Sequence, residues 1–255
     1  MNIIEHYFYL SLYVWIALAI IIFFVLLKIT VPYGRHTTTK WGATVSNKWG
    51  WFIMEFPALV VISWFFFSGK TTHYFFATYI VYGLYMLHYF RRTFIFPFQL
   101  HDNGKKMPWV IVILGIFFNV VNGFFNGYWL GHMAGDYYND WFYHWQFFVG
   151  IILFASGMTI NILSDQKLLN LRKDGKKGYF IPKGGLFEYI SSPNLFGEVV
   201  EWLGWAVIAW NLPALSFFIW TIANLIPRAL DHHRWYKNKF ADYPKKRKAV
   251  FPFVL

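Results

Sequence analysis

The sequence contains no cysteine. It therefore excludes disulfide bonds, thiolate catalysis and metal sites built on cysteine. Only 14% of its 255 residues are charged, whereas about a quarter are charged in an ordinary soluble domain. The same chain is 57% hydrophobic and 24% aromatic. These proportions predict a protein that is embedded in a membrane.

Familiar catalytic motifs are also missing. The chain has no G-x-G-x-x-G, G-x-x-x-x-G-K-[ST] or G-x-S-x-G sequence, so soluble nucleotide-binding folds and the hydrolase nucleophile elbow gain no support. It has no H-E-x-x-H, and its nine histidines do not form the repeated boxes of membrane di-iron enzymes. We therefore expect no metal in the site. Carboxylates, tyrosine, histidine and an imported cofactor remain as the chemical tools.

Apolar runs of about 20 residues, the length that crosses a bilayer as a helix, recur along the chain. Seven can be drawn: Tyr7–Ile29, Trp51–Ser68, His73–Phe96, Pro108–Leu130, Tyr143–Ser164, Leu195–Trp210 and Pro213–Leu230. The first is too long for a signal-peptide core and follows Glu5 rather than a basic stretch, so it is interpreted as a retained span. The short connections predict an all-α integral membrane protein, with one seven-helix domain over residues 1–255.

The lysines and arginines provide a test of this count. If the N-terminus faces outward, the inner segments Lys28–Lys48, Arg91–Lys106, Lys167–Lys183 and Arg228–Lys248 contain 22 of the 23 basic residues. Only Lys70 then lies in an outer loop. This segregation predicts seven transmembrane helices with the N-terminus outside and the C-terminus cytosolic. It also accounts for the net charge of +11 without nucleic acid, and a basic inner face suits an anionic ligand.

Polar side chains inside the predicted spans are candidate site residues, because a charge in hydrocarbon is costly unless partners compensate. Glu55 lies near the start of the second run. Tyr89, Arg91 and Arg92 lie at the inner end of the third, where the arginines alone are also explained as topology anchors. The asparagines of the fourth run share one helical face, for which hydrogen bonding between helices is the alternative explanation: Asn119, Asn122 and Asn126.

The last three runs carry a second set of polar residues. They recur at helical spacings in three groups: Asn161 and Asp165; Asn194, Glu198 and Glu201; and Asn224, Arg228, His232 and Tyr236. Trp202 lies beside the second group, and Arg172 and Tyr179 lie in the basic loop between the fifth and sixth runs. Acids in the spans and bases at their inner ends predict a polar cavity open to the cytosol. Arginines at its mouth suit a cofactor that carries phosphates.

The chain also resembles the steroid 5α-reductase family. The resemblance runs through nearly the whole sequence, in the stretches MEFP, LHYFRRTF, NILSD, LRKDGKKGYFIPKGGLFEYISSPNLFGEVVEWLGW and RALDHHRWYKNKFADYPKKRKAVFPFVL. It implies NADPH-dependent reduction of the Δ4 double bond of 3-oxo-Δ4 steroids, with Glu55 and Tyr89 facing the steroid ketone. Negative charge develops on that oxygen during hydride transfer, so donors such as the Tyr89 hydroxyl or a protonated Glu55 would stabilise it.

The resemblance also implies where the cofactor binds. The NADPH contacts of the family correspond to Arg92, Asn161, Asp165, Arg172, Tyr179, Asn194, Glu198, Trp202, Arg228, His232 and Tyr236. A steroid substrate would enter from the lipid membrane, and the aromatic-rich first, second and fourth runs are expected to line its pocket. A monomer is expected, in a bacterial inner membrane or an endoplasmic-reticulum membrane. Two departures are Met54, where the animal enzymes have glutamine, and Lys105–Lys106, where arginine is usual.

Other functions fit parts of this pattern. A reductase of enoyl thioesters or polyprenols would use a similar scaffold, as would a membrane methyltransferase that uses S-adenosylmethionine. The Glu55–Tyr89 pair favours a reductase over the methyltransferase, since methyl transfer needs no group that polarises a ketone. A non-enzymatic seven-helix carrier or receptor gives no reason for Asn194, Glu198 and Glu201 to align with a basic mouth.

Overall fold

The computed structural model describes residues 3–32, 34–37, 41–69, 75–100, 104–173 and 178–255. Over these ranges it contains eight α-helices: α1 Ile3–Leu26, α2 Asn47–Phe67, α3 Phe76–Phe90, α4 Phe96–Gln99, α5 Trp109–Tyr128, α6 Trp145–Asn170, α7 Pro193–Ala209 and α8 Leu212–Lys239. Two short antiparallel strands, β1 Thr44–Ser46 and β2 Lys106–Pro108, pair with Val45 opposite Met107. His73, the predicted start of the third run, and Lys70 lie outside the described residues.

Two helices continue through wider π-helical turns. Residues Arg91–Ile95 join α3 to α4, and Trp129–Met133 extend α5. A π-turn is frequently found at a functional site, because its extra residue re-aims the side chains around it. Pro97 follows the first of these turns, and a proline ring clashes with the carbonyl four residues earlier, which loosens the helix there.

Five of the helical segments in the described chain are long and apolar enough to cross a membrane: α1, α2, α5 with its π-turn, α6 and α8. The other two predicted runs coincide with α3 and α7, which have only 15 and 17 residues. The chain is therefore mostly helical and has the pattern of a multi-pass membrane protein. The seven predicted runs are all helical, while five meet the criterion for a span.

Helices α7 and α8 are separated by a sharp break. The backbone at Trp210 is left-handed, with φ of 43°, and ends α7. Asn211 then caps α8, because its side-chain oxygen accepts a hydrogen bond from the Ala214 amide at 2.9 Å. Proline at the first turn suits this start. From there α8 runs unbroken to Lys239, well beyond the predicted end at Leu230.

Helices α6 and α7 lie in close contact through glycines. A Cβ atom on Gly157 would lie 2.2 Å from the backbone nitrogen of Glu201, and one on Gly197 would lie 2.5 Å from that of Asn161. Small residues allow helix backbones in membranes to approach in this way. The contact brings the polar faces of the two helices together.

Aromatic rings fix α3 against α7 and α8. The Tyr85 and Tyr89 rings are 4.6 Å apart, and Trp202 meets Phe217 at 4.3 Å. Trp205 donates its indole N–H to the backbone carbonyl of Val81 at 2.9 Å. Buried aromatic contacts of this kind contribute both area and geometry. They hold Tyr89 at a defined depth between the helices.

Candidate active site

A cavity of about 430 Å³ lies between α1, α2, α3, α5, α7 and α8. Its walls are mostly apolar, and the polar residues that line it include Glu55, Tyr89, Arg92, Asn119 and Glu198. Such a cavity is typical of a small-molecule site. Residues of the first, second and fourth predicted runs line this cavity. Helix α8 also contributes a wall, which was not predicted.

Asn119 joins the two predicted catalytic residues. The Tyr89 hydroxyl donates to Asn119 Oδ1 at 2.9 Å, and Asn119 Nδ2 donates to Glu55 Oε2 at 3.1 Å. The same amide donates to the Met54 backbone carbonyl at 2.6 Å. All three side chains are buried. Sequence reasoning did not assign Asn119 to the site, although its place on the asparagine face was a signal.

The other two asparagines of that face stay away from this junction. Asn122 Oδ1 accepts the Trp15 indole N–H at 3.2 Å, which ties α5 to α1. Asn126 donates to the Asn122 backbone carbonyl, one turn earlier on the same helix. For Asn122 and Asn126, helix hydrogen bonding, the alternative that the sequence left open, is a sufficient explanation.

Met54 contributes mainly its backbone to the site. Its carbonyl holds the Asn119 amide, while its side chain lies close to Gly115 and borders the cavity. A Cβ atom on Gly115 would lie 3.0 Å from that of Met54. The Met54 side chain therefore presents an apolar surface to the cavity.

Arg92, predicted as a cofactor ligand, lies against Glu55. Its guanidinium is 3.6 Å from Glu55 Oε1 and stacks over the Trp51 ring at 4.5 Å. Stacking and ion pairing are both contacts for which arginine is suited.

A second polar group joins the third, fifth and sixth predicted runs. Arg91 donates to Asn161 Oδ1 at 3.0 Å and to Asp165 Oδ2 at 3.4 Å. Asn194 donates to Asp165 Oδ1 at 3.1 Å, and the Asn161 amide lies 3.5 Å from Glu198 Oε2. Four predicted cofactor residues thus meet here, and Arg91 joins them although it was interpreted as a possible anchor.

A cationic group lies around the Tyr179 ring. The Lys105 ammonium donates to the Tyr179 hydroxyl at 3.2 Å, and the Arg172 guanidinium lies 4.7 Å from the ring centroid. Arg35 reaches the same ring at 5.8 Å and the Tyr236 ring at 4.5 Å. Arg172, Tyr179 and Tyr236 were predicted to bind the cofactor, whereas Arg35 was not. Its position in the loop after the first run gave no helical spacing by which to find it.

Two histidines meet where this cationic group approaches the cavity. His232 on α8 stacks on His36 with centroids 5.8 Å apart. Burial lowers the pKa of His36, Arg35 lowers it further, and Asp231 acts in the opposite direction. His36 is therefore expected to be neutral at pH 7. Arg228, one turn before His232, also lines the cavity.

The second carboxylate of α7, Glu201, is separated from Glu198. It is fully buried, and its Oε1 lies 2.8 Å from Nδ1 of His88 on α3. Trp202, predicted as a cofactor contact, packs within the aromatic core and against the His88 ring at 4.5 Å. It also borders the cavity, together with His88.

Comparison with known proteins identifies one matching family model and several similar relatives. A family model described as 3-oxo-5-alpha-steroid 4-dehydrogenase matches residues 105–255. The chain is 44% identical over 237 residues to "Steroid 5-alpha-reductase DET2" of Arabidopsis thaliana, covering 90% of each chain. It is 38% identical over 225 residues to "3-oxo-5-alpha-steroid 4-dehydrogenase 1" of Rattus norvegicus, covering 88% of this chain and 86% of the relative.

Proposed function

The chain belongs to the 3-oxo-5-alpha-steroid 4-dehydrogenase family of oxidoreductases that act on CH–CH groups, and we propose that it reduces the Δ4 double bond of 3-oxo-Δ4 steroids to 5α-3-oxosteroids with NADPH. Family membership agrees with the resemblance in its sequence motifs. The observation that carries the proposal is the Tyr89–Asn119–Glu55 junction in the wall of a mostly apolar cavity.

The side chains present are suited to NADPH. Three cations surround the Tyr179 ring, Lys105, Arg172 and Arg35, and such a donor set suits phosphate groups. Amide and carboxylate groups around Asn161 and Glu198 lie nearer the cavity, where they can hold the sugar and amide parts of the cofactor. The proposed cofactor residues are Arg92, Asn161, Asp165, Arg172, Tyr179, Asn194, Glu198, Trp202, Arg228, His232 and Tyr236. When bound, the nicotinamide supplies the hydride.

Tyr89 and Glu55 polarise the substrate ketone in this proposal. Hydride addition at the β-carbon moves negative charge to the ketone oxygen, where a preorganised donor has its largest effect. Tyr89 is the principal donor, because its hydroxyl carries a proton at neutral pH. Glu55 holds Asn119, which orients Tyr89, and can itself donate to the ketone only in its protonated form.

The membrane arrangement completes the proposal. We infer seven spans, with α3 and α7 crossing alongside the five longer helices, an outer N-terminus and a cytosolic C-terminus. The steroid enters from the bilayer into the cavity between α1, α2, α5 and α8, whose walls are mostly apolar. NADPH binds from the cytosolic side, where the basic segments lie. The functional unit is proposed to be a monomer and a single domain.

The test is NADPH oxidation by detergent-purified protein, with and without progesterone or testosterone, and with products identified by mass spectrometry. We expect oxidation that depends on the steroid, products heavier by two hydrogens, and weaker activity with NADH. NADPH binding without steroid turnover would contradict the substrate and favour an enoyl or polyprenol substrate. Neither binding nor turnover in folded protein would overturn the reductase proposal.

A further inference from the structure

His88 and Glu201 form a buried pair that the proposed function leaves without a role. His88 Nδ1 lies 2.8 Å from Glu201 Oε1, and the two side chains are 5% and 1% exposed. His88 also lines the cavity beside Tyr89 and Glu198. The His88 imidazole ring therefore lies at the wall of the cavity in which the substrate is proposed to bind.

The contacts of the ring show which of its two nitrogens is engaged by a partner. Glu201 occupies Nδ1, and Trp202 and Tyr89 pack on the ring with centroids 4.5 and 5.3 Å away. A carboxylate at Nδ1 accepts the N–H there and leaves Nε2 as the nitrogen for other chemistry. The ring is thus fixed by its partner and its neighbours, with Nε2 as the remaining polar atom.

A purely structural ion pair explains this arrangement poorly. Glu201 Oε2 is buried and has no hydrogen-bond partner among the described residues. A buried carboxylate is stabilised only when its remaining lone pairs are satisfied, and an unsatisfied buried atom calls for an explanation such as a catalytic role. The pair therefore leaves one buried carboxylate oxygen without a partner, next to a histidine ring that lines the cavity.

The reaction requires a proton that the ketone site does not readily provide. Tyr89 directs its hydroxyl proton to Asn119, and the connected groups beyond are Glu55 and Arg92. Tyr89 is thereby suited to hold the ketone oxygen. Reduction of the double bond also needs a proton at the α-carbon, from a donor elsewhere on the cavity wall.

Building on the proposed function, we propose that His88 is the general acid that protonates the α-carbon and that Glu201 is its positioning residue. Hydride addition forms the β-carbon C–H bond and leaves an enolate on the substrate. The His88 Nε2–H bond then breaks, its proton forms the α-carbon C–H bond, and the enolate electrons restore the ketone. Neutral His88 regains a proton from water, while the Glu201 carboxylate stabilises the imidazolium.

The charged and titratable groups around His88 are consistent with this role. Glu201 and Glu198 both lie on α7 and interact electrostatically with the ring or its partner, and Tyr89 is its neighbour on α3. Two carboxylates and one tyrosine hydroxyl are thus the ionisable neighbours of the ring.

The first experiment compares His88→Gln and Glu201→Gln with the unsubstituted protein. His144→Gln is the matched control, because His144 is exposed and lies away from the cavity. His88→Gln should lower kcat by about 100-fold or more, raise the solvent deuterium isotope effect, and leave NADPH affinity, measured by fluorescence, unchanged. Glu201→Gln should lower kcat and raise the solvent deuterium isotope effect with the steroid KM unchanged, because the amide no longer holds the His88 ring as the carboxylate does.

Chemical rescue separates catalysis from folding. Imidazole added to His88→Ala should restore turnover in proportion to the imidazolium concentration, whereas pyrazole should not. His88→Gln with unchanged kcat and isotope effect, or no rescue in a protein that still binds NADPH, would overturn the role of His88 while leaving steroid reduction intact. Absence of turnover in the unsubstituted protein would instead overturn the proposed function and this inference together.

Discussion

The Tyr89 hydroxyl is both buried and directed, and these two properties decide what it can do. The residue is 4% exposed, and its proton lies on the 2.9 Å bond to Asn119. A substrate oxygen that replaces Asn119 as acceptor would meet a donor already in position. Preorganisation of this kind lowers the barrier because no reorientation is needed during the reaction.

Removing that hydroxyl is the most direct test of the ketone site. We expect Tyr89→Phe to lower kcat with steroid by about 100-fold to 1,000-fold, as for other lost oxyanion donors, with NADPH affinity unchanged. The measurement is steady-state turnover together with cofactor binding by fluorescence. Tyr13→Phe is the control, because Tyr13 is 59% exposed on α1. Equal turnover of both variants would remove Tyr89 from the mechanism.

The asparagine face shows how far sequence spacing reaches at this scale. A helical period of three and four placed Asn119, Asn122 and Asn126 together, and all three are buried. The spacing carries no information on the depth of Met54 and Glu55 on the facing helix. Only Asn119 lies at that depth, so packing between α2 and α5, rather than periodicity, singles it out.

At the scale of elements, the site depends on the contact between α6 and α7. These two helices present Asn161 and Asp165 on one side and Asn194 and Glu198 on the other. Their separation is set by glycines whose absent side chains leave room for a neighbouring backbone. The polar side chains of α6 and α7 meet because the backbones of these two helices are in close contact.

Adding one methyl group tests this contact. In Gly157→Ala the new Cβ would lie 2.2 Å from Glu201 N, so the backbones must separate. We expect a loss of about 1–3 kcal/mol in stability, as for other overpacked sites, and weaker NADPH binding. Thermal unfolding in detergent measures the first and fluorescence titration the second.

Gly83→Ala is the matched control. A Cβ atom at this position on α3 meets nothing within 4 Å. Since alanine favours a helix over glycine by about 0.5–1 kcal/mol, we expect this variant to be as stable as the parent or slightly more. Equal loss in both variants would mean that the α6–α7 contact is not specifically required.

The π-helical turn after α3 marks a limit of prediction from sequence. The third run was interpreted as a single regular span from His73 to Phe96, and its apolar residues gave no sign of a wider turn. Pro97 was the available signal, since proline disturbs the helix before it. The turn determines where Arg91 and Arg92 point. Their separate partners, Asp165 and Glu55, therefore could not be predicted from the sequence.

At the scale of the whole molecule, the structure confirms the positions of the helices, whereas the count of seven spans stays a prediction. Runs of apolar residues are direct evidence for helices in lipid, and each of the seven coincides with one. Helix α7 has 17 residues and ends at the left-handed Trp210, while α3 has 15 before its π-turn. Local backbone changes shorten both, and apolarity alone does not reveal such changes.

The absence of cysteine makes the topology directly testable, because any introduced cysteine is the only thiol. We expect a membrane-impermeant maleimide to label Ile3→Cys and Asp136→Cys on intact cells or right-side-out vesicles. Lys246→Cys should react only after permeabilisation, since it lies in the last basic segment. All three positions are exposed. Labelling of Ile3→Cys and Lys246→Cys from the same side would require an even number of spans. That result would exclude α3 and α7 from crossing together with the other five helices.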